Sequence, residues 1–567
     1  NPPQDEAARV KLRQQLEYNV MCLAGAGAGK THELVERMVA SIGQGICQVD
    51  ELAAITFTRK AAGELRGRFS ARLQEAATLG TAQEQARLQQ AVRHLDQCTI
   101  GTIHAFCAQL LRQYPLQAGL SADFQEVEER EELWLARSAW DHFLESRSAA
   151  GDGRLLAIEE TGLTAEQFYQ FFLTRCQHSD LPLKPTSEAC PDLQSAIKQL
   201  QQFIEEVAAQ IPTTLPGEPD RLMTAISQLR HRFSVAAPQA DAERAYVLRS
   251  FDSSAATQVT LKRWGPPGSP EQNLARRLRD DLVPALRTQI IQPPLASWRR
   301  YVYTLAAGFV DEAMDFYRHR RRQQSLLTFN DLMESATALL RDHPDTRRAL
   351  QEKYRVIFVD EFQDTDPLQA QILLYLTGAE VSQPTWQTQT PQPGRLFLVG
   401  DEKQSIYRFR RADVDVFRHM RQRLEAGGGQ VIELTTTFRA RPNLARWYND
   451  TFEGLFEAQD LRFQADFARL QAHRIQTSGA GVYRLRCDPQ RQTRQQRVED
   501  EAQKIARFIA AAIAGQTALN GEDAVLGSRA RPGDFMILTR TRRWLSHYGR
   551  ALEAQGINVL SIRTGAV

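Results

Sequence analysis

The eight-residue run Ala24-Gly25-Ala26-Gly27-Ala28-Gly29-Lys30-Thr31 directly follows the apolar stretch Val20–Ala24, and it constrains the fold more than any other part of the chain. Six small residues in a row let successive backbone N–H groups close around a polyphosphate with no bulky side chain in the way. This works only where a strand enters the turn and a helix leaves it. In that frame Lys30 meets the outer phosphates and Thr31 offers a hydroxyl to a divalent cation, while the N-terminal dipole of the following helix adds to the field. Ala24 stands where the strict pattern has glycine. A Gly/Ala-rich turn with a chance Lys-Thr pair is the plain alternative.

The rest of the chain supplies a matching frame. Short apolar runs separated by helical stretches indicate a parallel sheet: Val20–Ala24, Leu52–Thr56, Cys98–Gly101, Val356–Val359, Leu396–Val399 and Val431–Leu434, with later candidates Val482–Leu485, Phe535–Leu538 and Ile557–Ser561. Between the third and fourth runs lies a mostly helical stretch, 113–327, too long for a crossover, which reads as an inserted domain. Gly427-Gly428-Gly429 reads as an inter-domain hinge. The expected organisation is therefore 1–112, first part of one lobe; 113–327, helical insertion; 328–426, second part of that lobe; and 427–567, a second, incomplete lobe.

Polar clusters follow the strands. Val356–Val359 ends in Asp360-Glu361, where Asp360 can hold a divalent cation and Glu361 can accept a proton from attacking water. Thr56-Phe57-Thr58-Arg59-Lys60, Thr102-Ile103-His104, Asp401-Glu402-Lys403-Gln404 and Thr437-Phe438-Arg439 follow other runs. In open α/β sheets ligands bind beyond the carboxyl ends of the strands, so six such clusters predict a single functional edge. Tyr407-Arg408-Phe409-Arg410-Arg411 sets an aromatic among cations, suited to stacking a base while guanidiniums meet phosphates. Core packing is the alternative for Phe57 and Phe409, and a satisfied buried histidine for His104.

In order along the chain, the motifs are NPPQ at 1–4, AGAGAGKT at 24–31, ITFTRKAAGELRGR at 55–68, GTIHAFC at 101–107, LLTFNDL at 326–332, VIFVDEFQDTD at 356–366, LVGDEKQSIYRFRRAD at 398–413 and TTTFRARP at 435–442. As a set they resemble the superfamily 1 DNA helicases of the UvrD/Rep type. The resemblance is greatest to the helicase subunits of the RecBCD and AddAB helicase–nucleases. It implies an α/β fold of two RecA-like P-loop NTPase lobes with parallel sheets, the first interrupted by a large helical insertion, and an ATP- and Mg²⁺-dependent motor expected to move 3′→5′ on single-stranded DNA. Carried over by position, Gln4 reads adenine, and Ala24, Gly25, Ala26, Gly27, Ala28, Gly29, Lys30 and Thr31 form the phosphate loop. Thr31 and Asp360 hold the metal, Glu361 is the general base and Gln404 the γ-phosphate sensor. Arg439 is an arginine finger on the second lobe, with Phe438 beside the nucleotide. Phe57, Thr58, Thr102, His104, Tyr407, Phe409 and Arg410 fall at positions that contact DNA. The family's closing motifs and the nuclease module of this branch are expected beyond Val567, so the chain reads as an N-terminal portion with no nuclease of its own.

Composition narrows the setting. Seventy basic against 68 acidic residues exclude a globally basic nucleic-acid binder. The balance is local instead: residues 121–220 carry a net −12 and residues 221–322 a net +8, ending in Arg318, Arg320, Arg321 and Arg322. That basic half is either a solvated face or a phosphate-backbone surface. Seven scattered cysteines with no C-x-x-C pair argue against a disulfide scaffold or zinc ribbon and fit a reducing cytoplasm. No apolar run is long enough for a membrane span. Expected partners are single-stranded DNA and duplex ends, and a second helicase/nuclease subunit, with no membrane. Two other classes stay open: a catalytically silent DNA-binding scaffold, and a P-loop kinase or GTPase, the last opposed by the missing N-K-x-D guanine signature.

Overall fold

Six of the apolar runs become strands of one sheet. The structure is a computed structural model that describes residues 2–185, 189–214, 217–381, 385–456, 467–475, 482–487, 493–516 and 530–560. Strands β1 (Val20–Ala24), β2 (Leu52–Thr56), β3 (Thr99–Thr102), β4 (Val356–Val359), β5 (Leu396–Gly400) and β6 (Gln430–Leu434) lie in the order β3–β2–β4–β5–β1–β6. Every neighbouring pair is parallel. β2, β4 and β5 are buried at every position, as strands covered on both faces must be. Helices α1 (Glu6–Gln14), α2 (Lys30–Gly43) and α3 (Arg59–Ala76) bring Leu12, Leu34, Met38, Leu65, Phe69 and Leu73 into one core with Val20, Cys22, Ala54, Phe358 and Val399. All six strands run the same way, so Ala24, Thr56, Thr102, Val359, Gly400 and Leu434 end on one edge, and the six polar clusters emerge there.

The glycine run does not act as the expected hinge. Gly427, Gly428 and Gly429 close the helix Val414–Ala426, their N–H groups donating back to Arg423, Glu425 and Leu424 carbonyls. Gly428 takes φ +75°, and a Cβ on Gly427 would come 2.5 Å from Thr390. This is a packed helix-terminating turn. It delivers β6 to β1, with Val431 opposite Met21, so this strand belongs to the first sheet and not to a second lobe.

Residues 482–485, 535–538 and 557–560 are irregular, not strands (Ser561 lies outside the described residues). Val482, Leu485, Met536, Leu538 and Leu560 are exposed; among the described residues no partner strand lies beside these segments, so their apolar sequence gains nothing from pairing. The order in this region comes from helices Arg494–Ile513 and Leu545–Glu553, which bury Ala506, Ile509, Leu552 and Ile557 together. The chain is thus mixed α/β with a parallel sheet, but the sheet expected of a second lobe is not formed among the described residues.

Two compact units divide the chain: Asn1–Asp123 with Asp331–Val567, and Phe124–Asn330. The helical unit begins at 124 rather than 113 because helix Ile103–Gln113 buries Phe106, Cys107, Leu110 and Leu111 in the first unit, Phe106 meeting Tyr354 edge-on at 5.1 Å. Within Phe124–Asn330, one apolar cluster gathers Trp140, Phe143, Phe172, Phe309 and Tyr317. Another gathers Leu200, Ile204, Leu222, Phe251 and Trp264. Buried Asp220 is satisfied by Met223 N–H, Thr260 N–H and Trp264 Nε1–H at 2.8–2.9 Å. The arginine run ending the long helix Gln292–Gln323 is neither a uniform solvated face nor a uniform ligand surface. Arg321 is only 6% exposed, its guanidinium 3.9 Å from the centre of the Tyr317 ring, while Arg322 is exposed.

Candidate functional site

The turn after β1 owes its shape to glycine. Gly27 and Gly29 have φ of +75° and +84°, a region costly for side-chain-bearing residues. A Cβ on Gly27 would also lie 2.5 Å from Arg439 Cβ and 2.9 Å from Thr437 Oγ1. Gly29 caps α2 and Lys30 is its first residue, so the free N–H groups of the first turn and their dipole face the loop.

Across the edge, β4 delivers its carboxylates to this loop. Lys30 Nζ donates to Glu361 Oε2 at 2.9 Å, and Thr31 Oγ1 donates to Asp360 Oδ2 at 3.3 Å. Glu361 sits at φ +53°, an uncommon backbone state for a non-glycine residue. Gln363 Nε2 donates to the same Glu361 oxygen at 2.7 Å, while its Oε1 accepts from Asp401 N–H at 2.9 Å. Burial, reinforced by the neighbouring Glu361, pushes Asp360 up to about 6, and burial with Glu361 also pushes Asp364 up to about 6. Asp364 Oδ1 is buried with no hydrogen-bond partner. Three carboxylates around one lysine leave a deficit of positive charge.

That deficit has a measurable sign. A carboxyl raised in the fold is favoured protonated, so its contribution to stability is greatest below the ordinary carboxylate range and falls as pH rises to about 6. Ionised Asp360 therefore costs the ligand-free protein on the order of 3 kcal/mol at pH 7.5. Asp360→Asn should raise the thermal midpoint at pH 7.5 by a few degrees and lose that advantage near pH 4. An equal or lower midpoint at pH 7.5 by calorimetry would contradict this.

The segment after β6 also reaches the loop. Thr437 Oγ1 donates to Ala26 O at 3.0 Å and Phe438 N–H to Gly27 O at 2.8 Å. Phe438 lies with its ring 5.0 Å from His473, and Arg439 is exposed. Gln404 donates to Asp401 Oδ2 at 2.9 Å and is thus engaged at the end of β5. Gln4 is exposed in the turn before α1.

The DNA-assigned residues fall into two sets. Phe57 and Tyr407 have ring centroids 4.9 Å apart, Tyr407 and Phe409 5.7 Å, and Phe409 is 78% exposed beside exposed Arg410. The core alternative thus fails for Phe409. Thr58 and Thr102 are helix caps, accepting from Ala61 N–H at 3.0 Å and Ala105 N–H at 3.3 Å. His104 is half-buried in the first turn of helix Ile103–Gln113.

Four residues without a sequence-based assignment join the site: Asp5, Arg9, Glu33 and Gln363. Gln363 sat unassigned within VDEFQD. Arg9 and Glu33 are 24 positions apart, and no spacing rule connects them.

The sheet, the glycine-shaped turn and the strand-end carboxylates define a P-loop α/β fold. A family model described as the UvrD/REP helicase N-terminal domain matches residues 4–251 and 271–425, and the chain belongs to that family. Curated relatives whose names describe one subunit of an ATP-dependent helicase/nuclease include a protein of Streptococcus sanguinis strain SK36, 24% identical over 81% of this chain, and one of Syntrophomonas wolfei, 26% identical over 78%. A third of the same name, from Staphylococcus aureus strain USA300, is 26% identical, also over 78%. The chain spans 40%, 37% and 38% of those relatives' lengths.

Proposed function

We propose that this chain is the ATP-driven motor portion of a DNA helicase, moving 3′→5′ along single-stranded DNA within a helicase–nuclease that serves DNA repair and recombination. The observation that carries this reading is the shared edge. Lys30, Thr31, Asp360 and Glu361 meet there, and the aromatic row Phe57–Tyr407–Phe409 emerges from the ends of β2 and β5 on the same side. Hydrolysis and strand contact thus share one rigid sheet.

In this reading Lys30 and the loop N–H groups bind the triphosphate, Glu361 takes the proton from water, and Gln404 and Arg439 respond to the γ-phosphate. The surplus of carboxylates around Lys30 fits a divalent cation. No cluster of three or more His, Cys, Asp or Glu side chains able to hold a metal occurs among the described residues. Thr31 and Asp360 would therefore hold Mg²⁺ with phosphate oxygens and water, and bound there it would neutralise phosphate charge. The unit Phe124–Asn330 is assigned as the inserted domain of the first lobe, and the part beyond β6 as the beginning of the second. No nuclease is assigned to these residues. The relatives' names, which make each of them one member of a larger enzyme, support a partner protein for this chain as well. No helix among the described residues is long and apolar enough to cross a membrane, and the setting proposed is cytoplasmic.

The test is ATP hydrolysis with and without single-stranded DNA. Stimulation by DNA, loss of all turnover in Lys30→Ala, and weaker DNA affinity in Phe409→Ala by about 1–3 kcal/mol are expected. Tight DNA binding with no turnover in the unaltered protein would favour the silent scaffold. Stimulation intact in Phe409→Ala would remove the aromatic row from the strand path.

A further inference from the structure

Arg9 belongs to no motif, yet it is the most heavily engaged cation near the phosphate loop. It is 2% exposed. Its Nε and Nη2 bind the Asp5 carboxylate at 2.8 and 3.1 Å, its Nη1 binds Glu33 Oε1 at 3.1 Å, and its Nη2 also donates to Ala28 O at 3.0 Å. The same guanidinium lies 5.0 Å from the centre of the Phe438 ring, within range of a cation–π contact. Its two carboxylates are anchored in turn. Asp5 Oδ2 accepts from Thr436 N–H at 2.9 Å, and Glu33 is 1% exposed on α2, shared with Arg13 at 2.8 Å.

These contacts join four pieces of chain. Asp5 and Arg9 flank the start of α1, just after Gln4. Ala28 is in the phosphate loop, Glu33 in the first turn of the helix that carries Lys30 and Thr31, and Thr436–Phe438 in the segment seated on Gly27. A planar fork with five N–H donors can serve two carboxylates and a carbonyl at once while presenting its face to a ring; an ammonium group cannot.

We propose that Arg9 is a positioning residue that locks the aromatic Phe438 and the phosphate loop to each other, so that base and triphosphate are bound as one rigid unit. This rests on the nucleotide reading of the site given above. Arg9 does not touch the reacting atoms; it acts through Phe438 and Ala28. Releasing it should loosen the base side more than the phosphate side, because the loop keeps its glycine geometry and the dipole of α2, whereas Phe438 loses the cation against its ring.

The test uses the full-length protein and two variants. Arg9→Lys keeps a charge in place. Arg9→Met combined with Asp5→Asn removes the guanidinium without leaving Asp5, whose side chain is 6% exposed, as an unpaired buried charge, while Glu33 keeps Arg13. For each, KM and kcat for ATP are measured in saturating single-stranded DNA, together with competitive inhibition by inorganic tripolyphosphate, which has no base. The expected result is a KM for ATP raised about tenfold in both variants, with kcat changed far less. Tripolyphosphate inhibition should weaken by no more than about threefold, so the preference for ATP over the bare phosphate chain shrinks. A purely structural role would shift the melting temperature and leave that preference intact, which would overturn the proposal, as would wild-type KM in Arg9→Lys. Absence of hydrolysis by the unaltered protein would overturn the nucleotide reading and this inference together.

Discussion

Glu361→Gln is expected to lower the turnover of ATP by about 10²–10⁴-fold, the usual worth of a positioned general base, while tightening nucleotide binding. The opposite signs follow from one contact. Glu361 Oε2 holds Lys30 Nζ at 2.9 Å and also accepts from Gln363 Nε2 at 2.7 Å. An incoming phosphate must draw Lys30 away from that carboxylate, so part of its binding energy is spent breaking an ion pair with Lys30 only 10% exposed. A glutamine there removes the charge that competes for the lysine. It also removes the basic oxygen that would take a proton from water. Equilibrium binding of a non-hydrolysable ATP analogue and single-turnover hydrolysis separate the two effects. Turnover within a few-fold of the unaltered protein would dismiss Glu361 as the base. A parallel loss of binding would mean that the carboxylate shapes the loop rather than competing for Lys30.

That contact shows how far the chain could be read without coordinates. Lys30 and Glu361 were legible because each follows an apolar run whose burial demands a strand, and parallel strands must put such followers on one edge. The same logic located all six clusters. It misread the glycine run: three glycines in a row signal freedom of the backbone, but Thr390 crowds Gly427, Leu424 crowds Gly429, and Gly428 takes φ +75° in the turn that ends the helix. It likewise misread 482–485 and 535–538, where apolar composition suggests strand but pairing depends on a neighbour that local sequence does not reveal. Thr58 and Thr102, which the family resemblance puts at DNA-contacting positions, also cap helices with their hydroxyls, a role the motifs alone did not reveal. The network of Asp5, Arg9 and Glu33 was invisible because a charged residue on a helix is ordinarily solvated. Only the packing of α1 against α2 makes burial of these charges tolerable, by pairing them.

Arg439→Ala should lower turnover by about 10³-fold or more, in the range of arginine fingers, and its placement changes how that loss is to be understood. A finger carried on a lobe across a hinge would reach the phosphates only after a large closing motion. Here the residue follows β6 of the same sheet, and its neighbours are already docked: Thr437 on Ala26 O, Phe438 on Gly27 O, and Arg439 N–H on Thr437 Oγ1 at 3.3 Å. The backbone is therefore in place before nucleotide arrives, and the exposed guanidinium has only its own rotamers to search. Two consequences can be measured. Arg439→Lys should recover little, because a single ammonium lacks the planar fork that spans two phosphate oxygens. Gly27→Ala should lower turnover at least as much as Arg439→Ala, since the added methyl group would stand 2.5 Å from Arg439 Cβ and 2.9 Å from Thr437 Oγ1 and lift the whole segment off the loop, besides straining the loop itself at φ +75°. Pre-steady-state measurements of both variants should show a slowed hydrolysis step. If Gly27→Ala hydrolyses ATP normally, the segment is not held where the structure puts it, and gating of Arg439 by closure of the lobes becomes the better account.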